Sequence, residues 1–177
     1  GFLKSTNGGS SWTLPASVLA TQFYRINVHP TNPLELVVGT NNGGWRSTDG
    51  GTTWTSATVV ANINEHAVVG NLRTSPLPTA EVSGDGTLYV AWQDCRFRTG
   101  CTSNDIVLSS SDDGINWSSV SRVPIDPLDS GADHFIPGLA VDPGTSGSRA
   151  RLALTYYYYP SAACSATTCQ LNVGLIR

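Results

Sequence analysis

Apolar and polar residues alternate along most of this chain in short runs. That is the period of half-buried β-strands, not of helices. Arg25-Ile26-Asn27-Val28, Leu34 to Gly39, Gly44 to Ser47 and Trp54 to Val60 form one group of runs. Thr79 to Val82, Leu88 to Trp92, Asp105 to Leu108 and Trp117 to Val123 repeat that order. Turn residues separate them, His29-Pro30-Thr31-Asn32-Pro33 in the first group and Ser83-Gly84-Asp85-Gly86 in the second. Two strands are expected at the start, Phe2 to Ser5 and Trp12 onward. Three more are expected at the end, Ile136 to Val141, Leu152 to Tyr156 and Leu171 to Ile176. No stretch carries a helical period.

A motif recurs between the third and fourth runs. Ser47-Thr48-Asp49-Gly50-Gly51-Thr52-Thr53-Trp54 has the form S-x-D-x-G-x-T-W. Ser5-Thr6-Asn7-Gly8-Gly9-Ser10-Ser11-Trp12 repeats it with Asn for Asp, and Ser110-Ser111-Asp112-Asp113-Gly114-Ile115-Asn116-Trp117 repeats it again. The Asp or Asn side chain accepts backbone N–H bonds just ahead of it and closes a turn. The glycine two positions later accepts a positive φ, and the tryptophan opens the next strand and buries its ring. The expected framework is therefore Ser5, Asn7, Gly9 and Trp12; Ser47, Asp49, Gly51 and Trp54; and Ser110, Asp112, Gly114 and Trp117. Its role is structural: it staples hairpins. Asn116-Trp117-Ser118, formally a glycosylation acceptor, lies inside the third copy and is not expected to be modified.

Four antiparallel strands per repeat make the blade of a β-propeller. The expected fold is all-β, with about three and a quarter four-stranded blades: residues 1–20, 21–60, 61–124 and 125–177. Such a set reads as one partial propeller, an arc of a six- to eight-bladed ring. The remainder of the ring, or a second chain, would close it. The chain opens on Gly1-Phe2-Leu3-Lys4 and so reads as mature, trimmed or partial.

Composition narrows the setting. Serine and threonine number 39 of 177 residues, charged residues are only 13%, and net charge is −3 with no basic block. Nucleic-acid binding is disfavoured, and no apolar run spans a membrane. Neither Cys95/Cys101 nor Cys164/Cys169 is a C-x-x-C, and only three histidines are present, so zinc is disfavoured. Two local disulfides fit better than free thiols and imply a secreted, extracellular or cell-surface protein.

Three groups are candidate chemistry. Asp94 and Arg96 flank Cys95 in a strand-end loop where a ligand can bind; the alternative is a surface ion pair. Tyr156 to Tyr159 alternate faces if they form a strand, which leaves rings such as Tyr157 and Tyr159 to stack on sugars. Asp126, Asp129 and Asp133 share one loop and are candidate calcium ligands, although the spacing is no EF-hand. No other cofactor is expected.

The three repeats are identified as Asp-boxes, also called BNR repeats, and resemble those of the sialidase superfamily. The segment from Val28-His29-Pro30 to Asp49-Gly50-Gly51 also looks like blades of xyloglucanases and sortilin-type receptors. Residues from Asp85-Gly86-Thr87 onward resemble secreted bacterial sialidase-like proteins of poorly defined function. The resemblance implies a fold more than an activity. Sialidases grip a sugar carboxylate with three arginines and pair a tyrosine nucleophile with a glutamate. Tyr24-Arg25-Ile26-Asn27 matches three of four positions of their Phe/Tyr-Arg-Ile-Pro motif, so Arg25 is the candidate catalytic arginine. His134-Phe135-Ile136-Pro137 occupies the equivalent place in its blade without an arginine. A full catalytic set cannot be assigned. The reading is a glycan-binding or glycoside-hydrolase-related module, an exo-sialidase if it is an enzyme. The alternatives are a non-catalytic propeller with a protein partner in a surface assembly, and a xyloglucanase-type hydrolase.

Overall fold

The structure, a computed structural model, describes residues 3–14, 18, 20–29, 31–41, 43–70 and 72–177. Eleven β-strands are present among them, with two single 3-10 turns. The chain divides into two compact units, residues 1–59 and 60–177.

The first unit holds one four-stranded antiparallel sheet. Its strands are β1 (Phe23–Val28), β2 (Leu36–Thr40), β3 (Gly43–Ser47) and β4 (Thr55–Thr58), hydrogen-bonded in that order. Leu36, Val38 and Thr40 alternate inward on β2 and are buried. The second unit holds two sheets. β5 (Thr79–Val82), β6 (Leu88–Asp94), β7 (Asp105–Ser111) and β8 (Ser121–Arg122) form the first. β9 (Asp133–Val141), β10 (Leu152–Tyr159) and β11 (Asn172–Ile176) form the second, with β10 in the middle. Consecutive antiparallel strands in sequential order are the blade pattern, and the fold is that of a partial β-propeller. Among the described residues no helix is long and apolar enough to cross a membrane.

The core of the second unit lies between its two sheets. Tyr89, Ala91 and Ile106 from one sheet pack with Leu139, Leu154 and Tyr156 from the other. Gly174 on β11 admits the Tyr156 ring: a Cβ there would stand 2.2 Å from its Cζ.

The box turns explain the hairpins. Ser47 Oγ donates to Asp49 Oδ1 at 2.8 Å and accepts from Gly51 N at 2.8 Å. Asp49 also accepts from Thr53 N and, at 2.6 Å, from Thr53 Oγ1. These bonds favour the charged form and hold the Asp49 carboxyl well below the ordinary range. Ser5, Asn7, Gly9 and Ser11 reproduce the network, with Gly9 N 2.8 Å from Ser5 Oγ.

The third copy departs from the expected register by one residue. Ser111 and Asp113, not Ser110 and Asp112, close the turn: Gly114 N donates to Ser111 Oγ, and Ile115 N and Asn116 N donate to Asp113 Oδ1. The reason lies in φ. The first two copies place two successive glycines in the left-handed region, Gly8 and Gly9, then Gly50 and Gly51. Asp113 stands where Gly8 and Gly50 stand, and an aspartate adopts that φ less readily than a glycine. The turn therefore shortens by one residue around Gly114, whose φ is +70°. Asp112 is left to accept a hydrogen bond from Thr87 Oγ1 at 2.9 Å.

Three further expectations are corrected. The first hairpin is reduced, among the described residues, to one bridge between Lys4 and Thr13, and Phe2 lies outside them. Trp12, expected to be buried, is 57% exposed. Trp54, by contrast, sits half-buried over Gly51 and donates its Nε1–H to the Gly51 carbonyl. The run Trp117 to Val123 forms only the two-residue β8; ahead of it Ser118 N donates to the Ser110 carbonyl, Ser118 Oγ accepts from Ser110 N, and the Ser118 carbonyl accepts from Ser109 Oγ.

Candidate functional site

Polar groups gather at one end of the second unit, where β6 ends and β7 and β9 begin. The last residues of β6, Trp92, Gln93 and Asp94, are all buried instead of alternating. A strand that buries both faces at its end must satisfy its polar side chains internally, and each does so differently.

Asp94 is fully buried and spends both oxygens. Oδ1 accepts from Arg96 N and Nε, each at 2.9 Å. Oδ2 accepts from Arg96 Nη2 at 2.7 Å, Trp92 Nε1 at 3.1 Å and Asn64 N at 3.2 Å. Burial alone would raise its pKa, but these donors lower it, and Asp94 in turn raises that of Arg96. Arg96 also donates to the Asn62 carbonyl. The expected ligand-facing pair is thus a closed clamp that ties the 62–64 segment to the end of β6.

Arg98 does the same on the other side. It is 5% exposed and makes a bidentate pair with Asp105, Nε at 3.0 Å and Nη2 at 2.6 Å. It also donates to Asp126 and to the carbonyls of Pro127 and Leu128. Arg122 joins from β8, its Nε an ion contact 2.8 Å from Asp105 Oδ1 without hydrogen-bond alignment. Burial works to lower the Arg98 pKa, but Asp105 and Asp126 outweigh it and the net shift is upward. The two arginines balance the two carboxylates. Burial lowers the pKa of His134, so its imidazole is neutral at pH 7 although Asp126 lies 3.9 Å away.

The calcium ligands expected from the 126–133 loop are not brought together. Asp126 is committed to Arg98 and Arg122, Asp129 is exposed, and Asp133 turns to Asn104. Among the described residues the trio within 4.8 Å is instead Asp105, Asp126 and His134. Two guanidiniums already neutralise those carboxylates, so the residues do not fit a cation.

Asp133 is only half satisfied. Its Oδ1 accepts from Asn104 N at 2.8 Å and Nδ2 at 2.9 Å, while its buried Oδ2 has no partner. Asn104 completes a reciprocal pair with the His66 backbone. Burial raises the Asp133 pKa against the Asn104 bonds. The sign follows: the folded state holds this proton more tightly than the unfolded state does. The Asp133 contribution to stability therefore falls as pH rises from the ordinary 3.8 through the raised folded value, and stays low above it. We expect Asp133→Asn to melt no lower than wild type at pH 7, and the wild-type advantage to appear only on acidification toward pH 4. Paired thermal melts from pH 3.5 to 8 check this. A variant that melts several degrees lower at pH 7 contradicts it.

Glu65 stands at the rim of a cleft of about 300 Å³ lined by Ala67, Val68, Leu72, Arg73, Thr74 and Ser75. Gln93, fully buried, donates from Nε2 to Glu65 Oε1 at 2.9 Å and to the Thr74 carbonyl at 2.8 Å. Burial raises the Glu65 pKa, the Gln93 bond opposes, and the charge of Asp133 adds to the rise.

The remaining expected residues lie apart. Arg25 is exposed on β1 in the first unit and donates from Nε to Asn27 Oδ1 at 3.1 Å. Tyr157 is 41% exposed and stacks on Phe135, whereas Tyr159 is buried edge-on against the same ring and offers no face to a ligand. Both disulfides are present, Cys95–Cys101 and Cys164–Cys169. Glu65, Gln93, Arg98, Asn104, Asp105 and Arg122 were not singled out from sequence. The available signal was Arg-Phe-Arg among the five residues between Cys95 and Cys101, which places two cations in one short disulfide loop.

The chain is of the β-propeller class. No family model matches it, and no curated protein does. Solved structures similar to it are propeller-related glycosidases. The GH93 α-L-arabinofuranosidase of Fusarium graminearum with arabinobiose shares 20% identity over 98% of this chain and 52% of that one, at TM-score 0.53. The Penicillium chrysogenum α-L-arabinanase with arabinobiose shares 20% over 83% and 38%, at 0.50. The GH74 enzyme of Niastella koreensis shares 20% over 97% and 26%, at 0.47. The chain thus spans about half or less of the length of each. At these identities the likeness is one of fold.

Proposed function

We propose that this chain is an extracellular glycan-binding module of the glycoside-hydrolase-related propellers. The observation that carries the reading is the end of the second unit: rigid ion clamps at the end of β6 and the start of β7, with Glu65 exposed at a cleft and held by Gln93 of the same strand end. Loops pinned in this way provide the pre-organised surface that sugar recognition needs. The arabinose-directed activities in the names of the similar structures are consistent with it. The two disulfides suit an oxidising compartment.

The sialidase form of the reading is less favoured. Arg96 and Arg98 are spent on Asp94, Asp105 and Asp126, and so are not available to grip a substrate carboxylate. The test is retention of the full chain on immobilised arabinan, xyloglucan and sialylated glycoprotein, with released sugar measured in parallel. Retention on a polysaccharide supports the reading, and release of sugar adds an enzyme activity to it. Retention on none of the three overturns it and favours the non-catalytic interaction module.

A further inference from the structure

We propose that the cleft rimmed by Glu65, Leu72, Arg73 and Thr74 is a subsite for one residue of a neutral glycan, whose neighbouring hydroxyls donate to the Glu65 carboxylate. This rests on the glycan reading above and gives it a place and a ligand class.

Size comes first. A volume of about 300 Å³ lies at the lower end of the range for small-molecule sites, and suits one ring better than a chain of them. Chemistry comes second. A carboxylate only accepts hydrogen bonds and a sugar hydroxyl readily donates them, so the pair forms charge-assisted bonds. Glu65 Oε1 is tied to Gln93, and its other oxygen makes no hydrogen bond among the described residues. Arg73, exposed on the same cleft, supplies donors for the ring's acceptor oxygens, and Val68 and Leu72 supply an apolar wall for its C–H face.

The support behind Glu65 is built. Gln93 is fully buried and uses its whole amide: Nε2 to Glu65 and to the Thr74 carbonyl, Oε1 from Ile136 N at 3.0 Å. A flipped amide would set its NH₂ against the Ile136 N–H, so the orientation is fixed. Ile136 delivers that N–H from a left-handed conformation, φ +48°. A β-branched residue is strained there and persists only where its surroundings impose it. Strain and a saturated buried amide thus converge on holding Glu65 and Thr74 in place.

Charge selects among sugars. Glu65 stands at the rim and Asp133 lies near enough for its charge to act on it, against Arg73 as the one cation among the described lining residues. An acidic sugar would meet net repulsion there, whereas a neutral one would not.

The experiment titrates the full chain with arabinobiose, cellobiose and sialyllactose by NMR, for wild type and Glu65→Gln. Glu65 is exposed, so the variant folds. We expect a neutral disaccharide to shift resonances of residues 65–75 in wild type, with affinity about 10-fold lower in Glu65→Gln. Equal binding by the variant overturns the subsite and leaves the glycan reading standing. Preference for sialyllactose overturns the neutral assignment. No binding of any of the three, together with no retention on polysaccharide, overturns both.

Discussion

Replacing Arg98 with methionine is expected to destabilise the 60–177 unit by about 3–5 kcal/mol. The side chain is nearly inaccessible, and so is its partner Asp105. Removing the guanidinium leaves the Asp105 carboxylate buried opposite Asp126, with Arg122 alone against both. The cost is that of an uncompensated buried charge, which exceeds the net worth of the pair itself. Three loop carbonyl and hydroxyl contacts, to Pro127, Leu128 and Ser130, go with it. Arg98→Lys is expected to recover little, because the bidentate fork on Asp105 requires a planar guanidinium. Adding Asp105→Asn to Arg98→Met should restore part of the loss by removing the stranded charge. Urea unfolding followed by tryptophan fluorescence measures all three. A loss below about 1 kcal/mol would mean that solvent screens the cluster as it screens surface pairs.

The second large effect separates the two disulfides. Each closes a short loop, six residues apart for Cys95–Cys101 and five for Cys164–Cys169. Loop entropy alone gives them similar worth, on the order of 2 kcal/mol. Their surroundings differ. Cys95 is buried, and the loop it closes carries both Arg96 and Arg98 into their carboxylate partners. The Cys164–Cys169 loop is mostly exposed and bonds chiefly within itself through Ser165, Thr167 and Thr168. We expect Cys95→Ser with Cys101→Ser to cost about 3–5 kcal/mol, and Cys164→Ser with Cys169→Ser about 2 kcal/mol or less. Thermal melts of the two double variants compare them directly, and equal costs would refute the anchoring role of the first loop.

Much of the fold was readable because strand period and turn chemistry are local. Thr79 to Val82 has the expected bounds, and the strands begun at Leu88, Asp105 and Leu152 run further than the patterns suggested. The extensions share a cause. Gln93, Asp94, Ser109, Ser111 and Tyr159 continue their ladders as polar or aromatic residues that tertiary partners cover, so no apolar alternation marks them. The one-residue shift of the third box was legible in principle, since Asp113 stands where the other copies have a glycine. Its meaning depended on the φ that position requires.

The candidate site was less legible. Arg96 and Arg98 are two residues apart, yet each serves a different carboxylate and a different neighbouring segment. Asp126, Asp129 and Asp133 are close in sequence and end in three environments. Glu65 and Gln93 are 28 residues apart and meet. Side-chain direction across an irregular loop is set by what packs on it, and spacing does not encode that.

By itself the sequence determined the strand order, the box turns and the cysteine pairing, because each follows from backbone preference or short-range reach. Only the tertiary structure decided which charges are spent on one another and which remain for a ligand. That choice depends on desolvation: a carboxylate buried against a guanidinium is closed to chemistry, and one at a cleft rim is open to it. Asp94 and Glu65 carry the same group, and their surroundings alone assign them opposite roles.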